Sequence, residues 1–263
     1  MLSTCAPKAK SDGICMDDSA LESSIASVNA FIVKHRSHRP KLSTGLSRSD
    51  KIKQLREYFS MCSNDECWLE SPELKSGSDY AKLAGWFAPK TIGAFEGALW
   101  GTDLTNVMAQ YEEARRDFKY LGTHPFDFLE LNPMLPMTIY KYILGGMKYI
   151  GMCINYDTHD KKGSHWVGLF FDFNKNIGSF FDSGGKCPAP DPIIKFILKV
   201  QEFSPELRIA CNPTRHQFGG NNCGVYALHF IRTMLSGKSL EYFIENVIDE
   251  TEIRKLKMQL FRK

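Results

Sequence analysis

The stretch Cys223–Leu235 (CGVYALHFIRTML) constrains the fold more than any other part of the chain. It has the length of a helix and is apolar around most of its circumference. A helix of that kind is stable only when neighbours cover it, so it belongs in the centre of a core. The preceding Gly219-Gly220-Asn221-Asn222 supplies residues suited to a tight turn. A partner for this helix is legible upstream. His165–Phe173 (HWVGLFFDF) is apolar and aromatic, as a buried strand is. Asn174-Lys175-Asn176 forms a turn and Ile177–Asp182 (IGSFFD) the return strand. A Gly/Pro loop over 183–192, a helix over 193–202, a short strand over 207–212 and a charged helix over 249–261 complete the C-terminal half.

The N-terminal third reads differently. Leu21, Ile25, Val28, Phe31 and Ile32 recur at helical spacing within 21–35. Arg36–Lys41 is a basic connector, Ser49 a cap for a second helix through Ile52, Leu55 and Tyr58, and 71–86 a third helical piece. Residues 1–20 are polar with little periodicity and are read as disordered. Two regions follow: a helical arm over 1–85 and a core domain over 86–263, with Ala88-Pro89-Lys90 near the junction. In the core, a helix starting at Thr102 or Asp103 runs through Leu104, Val107, Met108 and Tyr111. Turn signals at Gly122 and Pro125 follow, then an apolar stretch to about Asn155. Gly145-Gly146-Met147 lies in that stretch and is expected to be buried there. Strands and helices mix without regular alternation, which predicts an α+β core rather than a doubly wound sheet.

Charge excludes little. A formal net charge of +3, from 33 basic and 30 acidic side chains, does not by itself imply nucleic-acid binding. The basic run 34–41 (KHRSHRPK) is a local candidate for nucleic-acid or capsid contact, against the plainer reading of a solvated linker. No stretch approaches the ~20 apolar residues that span a bilayer, and no export signal is visible, so a soluble, intracellular chain is expected. Its eight cysteines are then expected to be free thiols. Zinc is disfavoured, because no second close pair complements Cys62 and Cys67.

Four residues carry candidate chemistry. Cys223 opens the apolar helix, where free N–H groups and the positive dipole end favour thiolate and can hold an oxyanion. The competing reading is a small buried core residue. His165 begins the best strand; His159, His216 and His229 are rivals, the last placed on another side of the cysteine helix. Asp182 falls near the open end of the same hairpin as His165, where a carboxylate can fix the imidazole's tautomer and orientation. Asp172 lies at the turn end and is disfavoured by geometry. Gln217, six residues before Cys223, can aim an amide donor at the same oxyanion.

Taken together, HWVGLFFDF (165–173), FFDSGG (180–185) and RHQFGGNNCGVYALHFI (215–231) resemble the ubiquitin-like-protein-specific cysteine proteases, a family that includes the adenovirus endopeptidase. CSNDECWLESP (62–72) ahead of this core is similar to the African swine fever virus type of polyprotein protease, found in large DNA viruses. That type has asparagine where this chain has Asp182. The resemblance implies a papain-like core with a central mixed sheet, a buried helix carrying the cysteine and a helical arm in front. It implies His165 as base, Asp182 as orienter, Gln217 as oxyanion donor and Cys223 as nucleophile. Trp100, in Leu99-Trp100-x2-Asp103-Leu104, and Trp166 are the implied substrate-binding residues.

The function implied is a cysteine endopeptidase that cleaves after Gly-Gly-type sites. Its substrate is a viral structural polyprotein processed during virion maturation, in the virion and at cytoplasmic assembly sites. No metal or organic cofactor is called for, and no membrane partner. Removal of ubiquitin or a ubiquitin-like modifier from host proteins is the first alternative, since the chemistry is the same. A non-enzymatic nucleic-acid or capsid binding module using 34–41 is the second.

Overall fold

The computed structural model describes residues 5–9 and 13–262. They fall into two compact units: residues 5–9 and 13–89 with 259–262, and residues 90–258. The first contains α1 (Asp18–Lys34), α2 (Arg48–Tyr58), α3 (Asp65–Trp68), α4 (Pro72–Lys75) and α5 (Tyr80–Ala84). Asp17 starts α1 by accepting the Ala20 N–H at 2.7 Å. One stripe of that helix, Leu21, Ile25, Val28 and Ile32, then packs with Leu55, Trp68, Leu74 and Phe87. Buried Lys51 ties α2 to α1 through Asp18 (2.8 Å) and Glu22 (2.6 Å). Ser47 rather than Ser49 caps α2. The third helical piece is two short helices, α4 and α5, separated by Ser76–Asp79.

Two expectations fail here. Residues 13–20 are ordered: Ile14, Cys15 and Met16 are buried in this helical core, and the Cys15 N–H donates to buried Asp65 at 2.7 Å. Three apolar side chains suffice to anchor a segment whose overall composition is polar. Met1–Thr4 and Lys10–Asp12 lie outside the described residues. The free-thiol expectation is also overturned. Cys5–Cys15, Cys62–Cys67 and Cys187–Cys211 are disulfides, with Cα–Cα distances of 5.1, 5.5 and 5.7 Å, while Cys153 and Cys223 are free. Pairing depends on which segments meet in space, which spacing alone does not reveal. Among the described residues no cluster of His, Cys, Asp or Glu could hold a metal, and no helix is long and apolar enough to cross a membrane.

The second unit is built on a five-stranded sheet in the order β1-β2-β3-β4-β5. In chain order it contains α6 (Gly101–Ala114), β1 (Phe118–His124), α7 (Phe128–Leu131), α8 (Leu135–Leu144), β2 (Tyr149–Asn155), β3 (Trp166–Asp172) and β4 (Ile177–Phe181). Then come α9 (Asp191–Gln201), β5 (Arg208–Cys211), α10 (Cys223–Leu235) and α11 (Glu241–Glu245). α12 (Glu250–Leu260) runs across the unit boundary. The two outer pairs of strands are parallel and the two inner pairs antiparallel. The sheet is therefore mixed and the architecture α+β.

The sequence alone does not separate α8 from β2. The apolar stretch before Asn155 divides into α8 and β2 at an exposed Gly145–Gly146 turn, where Gly146 has φ +87°. Those glycines are thus on the surface and not in the core, because a helix and a strand of similar hydropathy need a turn between them.

On one face of the sheet, Phe128, Ile139, Phe196 and Val200 pack against Ile150, Leu169, Phe171 and Phe180. On the other, α10 lies against β3. Gly168 makes this approach possible, since a Cβ there would stand 2.6 Å from Phe230 Cδ1. The result sets the start of α10 beside the start of β3.

Candidate active site

α10 begins at Cys223 because the chain before it turns sharply. Gly220 takes φ +74°, a conformation that favours glycine. The Asn222 carbonyl then accepts the N–H groups of Val225 (2.9 Å) and Tyr226 (3.0 Å). Gly224 lies in a tight space: an added Cβ would meet Leu104, Leu99 and Trp166 side-chain atoms at 3.2–3.3 Å. Cys223 is 7% exposed, yet it lines a cleft of about 570 Å³ together with Leu99, Trp100, Gly101, Thr123 and Trp166.

His165 stands immediately before β3, and Asp182 immediately after β4. The β3–β4 register ends with Gly168 opposite Phe181, so the two residues meet at the open end of the hairpin. His165 Nε2 donates to Asp182 Oδ1 at 2.7 Å. That leaves Nδ1 on the side of the cysteine, and the two groups are close enough that each shifts the other's titration. Asp182 is further held by the Gly184 N–H on Oδ1 (2.7 Å) and by the Tyr156 hydroxyl on Oδ2 (2.7 Å).

The electrostatics follow from this contact chain. Burial disfavours charge on all three groups. For Asp182 the hydrogen bonds from His165 and Tyr156 outweigh burial, and its carboxyl sits below the usual range. For His165 burial pulls the ring down, but Asp182 and Cys223 overcome it and push the pKa up to about 9. For Cys223 burial raises the thiol, while His165 and the backbone N–H groups of Trp166 and Gly224 bring it below its ordinary value. A thiolate facing an imidazolium is the consistent charge state. The other free thiol behaves oppositely: burial pushes Cys153 up to about 12.

The remaining sequence candidates are placed as follows. Gln217 accepts a hydrogen bond from Ser183 Oγ (2.8 Å) and donates its amide to the carbonyls of Gly219 (3.1 Å) and Gly220 (3.2 Å). Trp166 donates its indole N–H to the Leu99 carbonyl at 3.0 Å. Trp100 is 60% exposed at the head of α6, where its backbone N–H is held by buried Asp103 at 2.8 Å. The rival histidines are engaged elsewhere: His159 with Asp127, His216 with the Ile248 N–H and His229 with Thr233. Asp172 accepts the turn N–H groups of Asn174 and Lys175 at the far end of the hairpin. Tyr156 and Ser183 escaped sequence reasoning. Neither has a local signal, and each hydroxyl reaches a partner 26 or 34 positions away.

A cysteine at a helix start, an imidazole and a buried carboxylate, joined in that order at the rim of a cleft on a mixed sheet, define a cysteine protease of the papain-like α+β kind. The comparisons make this specific. The Ulp1 protease family, C-terminal catalytic domain, matches residues 104–263, more than half of the chain. The chain belongs to this family and is a cysteine protease. It is 29% identical over 231 residues to a thiol protease of Acanthamoeba polyphaga mimivirus, covering 82% of this chain and 76% of that one. It is 32% identical over 119 residues to the SUMO-1 cysteine protease of African swine fever virus, covering 43% of each. The crystal structure of the African swine fever virus pS273R protease superposes over 100% of this chain and 96% of that one, with TM-score 0.72 and 19% identity. At that identity the likeness speaks to the fold, helical arm included.

Proposed function

We propose that the chain is an endopeptidase that cleaves after Gly-Gly-type sites and processes structural polyproteins of a large DNA virus, in the virion and at its assembly sites. The observation that supports the catalytic part is the Asp182–His165 hydrogen bond, with Cys223 beside that pair and lining the cleft. In this proposal the Cys223 thiolate attacks the scissile carbonyl. The Cys223 N–H and the Gln217 amide receive the oxyanion, Gln217 exchanging a bond to Gly219 or Gly220 for it. His165 protonates the leaving amine and then activates the water that releases the acyl group. Asp182 keeps the ring aligned. Trp100 and Trp166, which both line the cleft, flank a backbone of small residues. The viral setting is supported by the relatives, which come from Acanthamoeba polyphaga mimivirus and African swine fever virus.

A second reading has its own support. One relative is named a SUMO-1 cysteine protease, which favours an isopeptide-linked modifier as the substrate in this reading. The experiment is hydrolysis of a linear Gly-Gly peptide and of a modifier conjugate by the wild type and by Cys223→Ala. Loss of all turnover in the variant is expected, and undiminished turnover would rule out Cys223 as nucleophile. Preference for the conjugate over the peptide would favour the second reading. The basic run 34–41 remains a candidate accessory nucleic-acid contact. Within it, Arg39 lies 4.4 Å from the Tyr58 ring, and salt-dependent RNA binding lost on neutralising Arg36 and Arg39 would test it.

A further inference from the structure

Asp182 is 2% exposed, and both of its oxygens are occupied. Oδ1 takes the His165 ring N–H and the Gly184 backbone N–H, each at 2.7 Å. Oδ2 takes the Tyr156 hydroxyl, also at 2.7 Å. A carboxylate anchored through one oxygen can still turn about its Cβ–Cγ bond, a broad torsion, and swing its lone pair off the imidazole. One anchored through both cannot. The orientation of the ring therefore depends on what holds Oδ2.

Tyr156 is built to hold it. Its backbone N–H donates to the His165 carbonyl at 2.9 Å, so the two residues are joined just beyond the end of the β2–β3 ladder. Its ring stands edge-on to Phe126 (centroids 5.8 Å, 83°) and 5.3 Å from the His165 ring, with Lys186 Nζ 5.3 Å from its centre. A tyrosine packed against rings on two sides presents its hydroxyl at a set point with little rotamer freedom left to lose. The phenol stays protonated, since burial and the neighbouring carboxylate both push it above its ordinary value, so it can only donate here.

We propose that Tyr156 is a positioning residue of the catalytic centre: its hydroxyl locks the second oxygen of Asp182, and its ring walls the imidazole, so that His165 faces Cys223. This rests on the triad roles proposed above. It adds a fourth side chain, acting through Asp182 and touching no reacting atom.

The test is a double-mutant cycle of Tyr156→Phe with Asp182→Ala in the full chain, read as kcat on a Gly-Gly peptide and, independently of substrate, as the pH dependence of Cys223 alkylation by iodoacetamide. Tyr156→Phe keeps the ring, so a cooperative melt within several degrees of the wild type is expected, the loss being one hydrogen bond. Its kcat should fall by about ten- to a hundredfold, the range of one hydrogen bond to a charged group, with KM within about twofold. In the Asp182→Ala background the same change should cost less than about twofold, because its route of action is gone. In the alkylation profile the upper inflection, set by His165, should move by about half a unit or more, since Asp182 holds that proton. Equal losses in both backgrounds, or an unchanged kcat and inflection in Tyr156→Phe, would overturn the proposal. If Asp182→Ala alone leaves kcat intact, the triad reading itself has failed. If the peptide is not cleaved, the alkylation profile alone decides on Tyr156.

Discussion

His165→Ala should convert Cys223 from a reactive thiolate into a poor nucleophile, and the size of the change can be worked from the contacts. In the wild type, burial raises the thiol, and His165 together with the Trp166 and Gly224 N–H groups brings it below its ordinary value. Removing the ring deletes the largest opposing contribution and leaves burial against two backbone donors. The thiol should then titrate at or above the ~8.5 of an ordinary cysteine. For every unit that separates the two midpoints, thiolate at a pH below both falls tenfold. The more basic thiolate recovers about threefold of that in intrinsic nucleophilicity. Each unit of separation thus costs a net factor of about three in alkylation rate at a pH below both midpoints. The assay is the second-order rate of iodoacetamide modification of Cys223 across pH 5–10, with the site verified by mass spectrometry. The wild-type curve should rise at a pH below that of a free thiol and inflect again near 9, where His165 loses its proton. The variant should show one rise, shifted upward. Identical lower midpoints in the two proteins would refute the ion pair and the charge state drawn from it.

Three further outcomes are expected. Trp100→Ala should raise KM for peptide several-fold without lowering Tm, because the indole is 60% exposed and lines the cleft; unchanged peptide kinetics would remove it from the substrate path. Gly168→Ala should destabilise the fold by ~1–3 kcal/mol, seen as a lower Tm, since its Cβ would stand 2.6 Å from Phe230 Cδ1; an unaltered Tm would mean α10 can shift freely on β3. Burial lowers His216 to about 4 in the folded chain, below the ~6.5 of an unfolded histidine, so the unfolded state takes up its proton first. The stability this contributes is present above pH ~6.5 and lost as pH falls toward 4. Tm should drop over that window, less so in His216→Asn, which keeps an acceptor for the Ile248 N–H; equal slopes would exclude His216 as the acid-sensitive group.

Much of the centre was legible because its parts lie where local rules are strong. Cys223 follows a glycine turn and opens a helix whose span, Cys223–Leu235, agrees end to end with its apolar run. His165 and Asp182 flank a hairpin whose alternation and turn set their register. Where local rules are weak, the outcome differed. Ser49 and Ser47 are equally good caps by type, and the backbone chose Ser47. Residues 13–16 look polar in a window that includes their neighbours, yet Ile14, Cys15 and Met16 are enough to bury them. β1 carries the turn residue Gly122 inside its span at φ +98°, beside the register shift between Tyr120 and Thr123, and so did not read as a strand.

What the chain carries in its own order is the list of candidate reacting groups and the element each one sits on or beside. Periodicity and turn chemistry act over a few residues, and the thiol, the imidazole and the carboxylate are each announced that way. What only folding decided is everything that acts across long separations. It set the Cys187–Cys211 pairing, the hold of Ser183 on Gln217, and the Tyr156 hydroxyl on the far oxygen of Asp182. Those contacts form between segments that share no local pattern, and they exist only once the sheet and α10 have brought the segments together.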